Sequence, residues 1–147
     1  MHKHVAILAV FFSIVCSGMA QAGQEARQFG VCLTDSMSGK ERKNLAKWIF
    51  MGMSAHSMIK PYSNVSESDI DNSNQYVGKL ITRLITEDCP EQARTASEVM
   101  GSAAFEQAFK VVGELAMQEL MADPSVGQSI GGFEKYLDQE KFKEVFQ

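Results

Sequence analysis

Three thioethers and an imidazole fall within Met51-Gly52-Met53-Ser54-Ala55-His56-Ser57-Met58, and soft sulfur with imidazole nitrogen is a donor set that suits copper. On an unbroken helix, however, Met51 and Met58 point to one side while Met53 and His56 point to another. Those four groups cannot then surround one ion, so the methionines read as ordinary core residues, and no metal or cofactor is assigned. His56 shares a helical face with Leu45, Ile49, Gly52 and Ile59, which makes it a satisfied core histidine before a catalytic base. Burial there would lower its pKa and make it a pH-sensitive structural group. No Ser/His/Asp triad can be built from spacing alone.

Two further sets of charged residues bear on chemistry. Asp69-Ile70-Asp71 and Glu87-Asp88 are close carboxylates without the pattern of a calcium loop, and helix termini and solvated faces account for them. Glu119 lies near an apolar stripe, with its carboxylate expected to turn outward; buried, it would need His56 or a lysine as partner. Gly39-Lys40-Glu41-Arg42-Lys43 lacks the glycine and hydroxyl positions of a phosphate loop. Lys40, Lys43 and Lys47 therefore form a solvated basic edge, with anion binding at a helix start as the alternative.

The compartment follows from the first residues. Lys3 precedes an apolar run over 5–15, broken only by Ser13, and Ala20-Gln21-Ala22 supplies small residues where a signal peptidase reads. Residues 1–22 are thus expected to be a signal peptide and 23–147 a single helical domain, exported to the periplasm or secreted. The run is shorter than the roughly 20 residues of a membrane span, and no later segment makes an integral membrane helix. Cys16 follows Val15, the wrong shape for lipid attachment.

Without residues 1–22 the chain keeps thirteen basic and eighteen acidic groups, a net charge of -5, which disfavours nucleic acid as a partner. Two cysteines then remain, Cys32 and Cys89, 57 positions apart. In an oxidising compartment they are expected to pair as a structural disulfide, since they lack the close spacing of a redox catalyst.

The elements that must position these residues read as helices. Gln24 to Met37 is short and mixed, and one turn of helix carrying Cys32 is expected there. Ser38 and Glu41 have capping-box spacing, and the helix they open is expected to run to about Ile59, before Pro61. Its opposite face turns apolar at Phe50, Met51 and Met58, a pattern of either a central core helix or a partner interface. Ser66 and Asp69 open a second amphipathic helix ending near Glu87. The short 60–65 connection makes the pair antiparallel, which brings Cys32 near Cys89. Pro90 and Asp123-Pro124 suit further helix starts, and 103–121 carries a strong apolar stripe. Phe133, Tyr136, Leu137, Phe142, Val145 and Phe146 are expected to fold terminal turns onto the bundle.

The stretches CLTDSMSGKERKNLAKWIFMGMSAH at 32–56, TRLITEDCPEQARTA at 82–96 and ELAMQELMADPSVGQSIGGFEKYLD at 114–138 resemble a family of small secreted α-helical proteins from Gram-negative bacteria. The resemblance covers most of the chain after residue 22. It implies export and a compact helical domain, and it carries over no activity and no catalytic residues. The expected fold is all-α, a compact bundle of four to five helices with one disulfide. The expected role is noncatalytic: binding a protein partner or maintaining the envelope, with Phe50, Met51 and Met58 as a possible homodimer face. A small-ligand carrier with an apolar interhelical cavity, or a carboxylate-based hydrolase, are the alternatives.

Overall fold

The computed structural model describes residues 23–146. The segment 1–22, expected to be a signal peptide and containing Cys16, lies outside the described residues. Among those described, seven α-helices follow one another: α1 (23–35), α2 (Gly39–Ser54), α3 (Glu67–Arg83), α4 (Pro90–Met100), α5 (Ala103–Met121), α6 (Pro124–Gly131) and α7 (Gln139–Phe146). The expectation of four to five helices is thereby corrected. The additional ones are α1, where only one helical turn is expected, and α7, where only terminal turns are expected.

α1 is a full helix because Ala26, Phe29 and Leu33 recur on one face, and all three are completely buried. Gly30 completes that face by close approach. A Cβ placed on it would lie 2.8 Å from Val111 Cβ and 3.0 Å from the Ala108 carbonyl oxygen, so only hydrogen lets α1 settle on α5 at this distance. α5 answers with small residues at a four-residue interval: Ala104, Ala108, Val112 and Ala116 are all buried. Phe29 meets Phe105 edge to face at 5.7 Å between ring centres.

α2 packs against both α3 and α5. Both expected capping boxes are present. The Ser38 hydroxyl accepts from the Glu41 amide at 3.3 Å while the Glu41 carboxylate accepts from the Ser38 amide at 2.8 Å. At α3 the Ser66 hydroxyl and the Asp69 carboxylate do the same at 3.2 and 3.0 Å.

α2 stops at Ser54, five residues short of the expected end at Ile59. Ser54 is buried, and its hydroxyl donates to the Met51 carbonyl at 2.6 Å. Beyond it the chain turns on His56, whose Nδ1 accepts the Met58 amide and whose carbonyl accepts the amides of Ile59 and Lys60. A 3₁₀ turn over Lys60–Tyr62, begun with the help of Pro61, leads towards α3. These local bonds compete with helix continuation.

α3 carries Ser73, Val77 and Leu80 into the core, then widens into a π-helical turn at Leu84–Asp88 in which the Cys89 amide donates to the Leu84 carbonyl at 2.8 Å. Leu84 and Cys89 are both fully buried there. The Cys32–Cys89 disulfide, with 6.0 Å between Cα atoms, ties α1 to the end of this turn. Pro90 starts α4 at the position where a missing amide costs little. Gly101, at φ 58°, makes the bend from α4 to α5 in a region that favours glycine.

Past α5 the chain leaves the core. Asp123 caps α6 by accepting from the Ser125 amide at 2.8 Å, and a 3₁₀ turn over Gly132–Tyr136 leads to α7. The terminal aromatics do not fold onto the bundle as expected. Phe133, Tyr136, Phe142, Val145 and Phe146 are all exposed, and only Leu137 is half-buried.

Candidate functional site

Where α2 ends and α3 begins, the two helices part and leave an open apolar groove of about 750 Å³. Trp48, Ile49, Gly52 and Met53 line it from α2, and His56 and Ile59 from the turn. Ile70 and Asn74 close the α3 side. Gly52 has no side chain to fill the gap. The indole Nε1 of Trp48 donates to Asn74 Oδ1 at 2.8 Å, joining the two helices at the base of the opening.

The expected core stripe of α2 is therefore only half a core stripe. Leu45 is fully buried and Ile49 packs partly against the core. Gly52, His56 and Ile59 are exposed instead, at the groove. The reading of His56 as a satisfied core histidine is thus corrected: the ring caps an exposed turn. With Nδ1 accepting the Met58 amide, the neutral ring carries its proton on Nε2, which is then a donor rather than a lone pair open to a metal. The break after Ser54 also changes the methionine geometry. Met51, Met53 and His56 line one groove, where an unbroken helix would have separated them.

Phe50, Met51 and Met58 are not gathered on one surface. Met51 faces α3, and Met58 stands exposed in the turn. Phe50, half-exposed, faces Leu120 and Val126 across a second hollow on the opposite side of α2. Lys43 and Lys47 border that hollow beside Glu119 and Asp123, while Lys40 stands exposed at the start of the helix. The basic edge thus already has carboxylates next to it. Glu119 finds Arg42 rather than His56 or a lysine, with Nε 3.6 Å from Oε1.

The close carboxylates serve structure. Asp69 caps α3, Asp71 Oδ2 accepts from the Gln75 side-chain Nε2 at 2.9 Å, and Asp88 holds Arg83 at 2.6 Å. The Ser66 hydroxyl and then its amide, with Lys47 adding charge, hold the Asp69 carboxyl below its ordinary range. The Ser38 amide, its hydroxyl and then the Arg83 guanidinium lower that of Glu41 in the same way, against partial burial that raises it. Among the described residues no three His, Cys, Asp or Glu side chains come together as a metal site, and no helix is long and apolar enough to cross a membrane. The groove lining holds no carboxylate, cationic group or activated nucleophile. Its chemistry is apolar contact with two polar markers, Asn74 and His56.

No family model matches the chain, and no curated protein or solved structure matches it either. The groove was missed in the sequence because its residues continue the core periodicity of α2. The signal available was Gly52 and His56 interrupting an otherwise apolar stripe.

Proposed function

We propose that the chain is an exported, noncatalytic helical protein, periplasmic or secreted, that binds a protein partner by taking an apolar segment into the α2–α3 groove. Partner binding or envelope maintenance is the corresponding role. The observation that carries this reading is the groove itself: about 750 Å³, apolar, uncharged and open along one side. Export is supported by the signal-peptide pattern over 1–22, by the resemblance to secreted Gram-negative proteins and by the disulfide, which persists in an oxidising compartment. The carrier reading draws on the groove's volume, which falls in the range of small-molecule sites. Its open side favours a protein ridge over an enclosed ligand.

A photo-activatable residue at position 53, in the groove, tests the proposal when the chain is produced in cells that export it. The control is the same residue at position 110, on exposed Lys110 of α5. Discrete protein adducts at 53 and none at 110 are expected. Equal labelling at both positions, or none at 53, would overturn it.

A further inference from the structure

Besides the groove, the described residues present a second unpartnered apolar surface on the C-terminal arm. Phe133, Tyr136, Phe142, Val145 and Phe146 are each between 43% and 80% exposed. In α7, positions 142, 145 and 146 fall on one helical face, and the rings of Phe142 and Phe146 stack at 5.9 Å. Among the described residues α7 forms no extensive packing with α2–α5.

We infer that the C-terminal arm of one copy docks in the α2–α3 groove of a second copy, so that the chain associates by arm exchange. This rests on the reading of the groove as a docking surface and names its occupant. Three observations support a second copy.

The first is direction. α6 faces α2 across the second hollow, where Val126 stands opposite Lys43, Lys47 and Phe50. Those positions lie on the far side of α2 from Trp48 and Gly52, so the arm departs from the back of the helix whose front holds the groove. That arrangement presents arm and groove to neighbouring copies, and a reciprocal pair closes with two-fold symmetry.

The second is area. Aromatic side chains bury about 150–250 Å² each, so the exposed parts of the arm's residues come to roughly 500 Å², and an arm of that size covers a similar area of the groove and its surroundings. Two reciprocal contacts then cover on the order of 2,000 Å², the upper end of a standard stable interface.

The third is charge. Lys141 pairs with Asp138 at 3.4 Å and Lys143 with Glu140 at 2.7 Å within the arm, and the groove lining is uncharged. Docking therefore leaves these ion pairs at the rim. Two copies that each carry a net charge of -5 over residues 23–147 repel over distance, so added salt strengthens this association, whereas it weakens one built on charge pairing.

Sedimentation equilibrium on protein purified after export, over a range of concentrations, tests the inference. Emission from Trp48, the only tryptophan and a groove residue, is followed in parallel. The mass is expected to approach twice that of the monomer, with Trp48 emission moving to shorter wavelength. Phe142→Asp with Phe146→Asp, and separately Met53→Asp with Ile59→Asp, are each expected to weaken association by at least about tenfold. All four positions are exposed, and circular dichroism checks that the helices persist. Mixing the two variants is expected to restore a complex, because one supplies an intact arm and the other an intact groove. A protein that stays monomeric while the arm substitutions shift Trp48 emission has its arm in its own groove, which overturns the inference. A dimer indifferent to the groove substitutions overturns it as well. A monomer with unresponsive Trp48 also overturns it, while adducts at position 53 would leave the groove as a site for other proteins.

Discussion

Arg83 Nη2 lies 2.9 Å from Glu41 Oε1, and Arg83 Nη1 lies 2.6 Å from Asp88 Oδ2. One guanidinium near the end of α3 thus joins the cap of α2 to the π-helical turn that presents Cys89. Glu41 serves both as the capping-box carboxylate of its own helix and as the anchor of the next.

Stability is expected to fall in acid through this carboxylate. Glu41 has a folded pKa below its ordinary 4.5, so its contribution is fully present above that value and is lost as pH falls through the lowered one. Asp69, lowered for a similar reason at the start of α3, acts in the same direction. Glu41→Gln keeps a capping side chain and removes the charge, so it should lower stability at pH 7 by less than about 1 kcal/mol. It should also flatten the acid limb of the urea midpoint against pH. A variant as acid-sensitive as the parent would contradict this.

Reduction of Cys32–Cys89 opens a cross-link between positions 57 residues apart. On the loop-entropy account this costs about 4 kcal/mol at most. The urea unfolding midpoint, measured before and after thiol titration confirms reduction, should fall accordingly. An unchanged midpoint would remove the disulfide from the account of stability.

The same substitution should have opposite signs at two glycines. Gly30→Ala forces a Cβ against Val111 and the Ala108 carbonyl, a backbone atom that cannot swing aside, and should cost roughly 1–3 kcal/mol. Gly113→Ala, in the middle of α5 with nothing within 4 Å of its Cβ position, should stabilise by about 0.5–1 kcal/mol. Thermal unfolding of the two variants side by side checks the contrast.

Asn74→Ala removes the acceptor of the Trp48 indole and should cost about 0.5–1.5 kcal/mol. Trp48 emission should shift to longer wavelength as the groove wall loosens. Loss of stability without a change in emission would separate the hydrogen bond from the groove.

Much of this frame was legible in local chemistry. Ser38 with Glu41, Ser66 with Asp69, and the prolines at 90 and 124 mark helix starts through bonds made within a few residues. Cys32 and Cys89 meet because the antiparallel hairpin follows from those starts. α1 was not legible, because Ala26 and Gly30 hold half of its buried face and small residues carry little hydrophobic signal. The end of α2 depended on the Ser54 hydroxyl and the His56 ring turning back on the chain, which periodicity does not reveal. The exposed arm reads like core, since aromatic content says that a surface must be covered and not what covers it.

Methionine oxidation gives the most direct test of the groove as a docking face. Met53, in the groove, and Met117, on α5 away from it, are 51% and 45% exposed. Dilute peroxide should therefore oxidise them at similar rates in purified, dilute protein. In intact cells that export the chain, Met53 is expected to be protected several-fold relative to Met117. Equal rates for both methionines in the cell would contradict a groove occupied by protein.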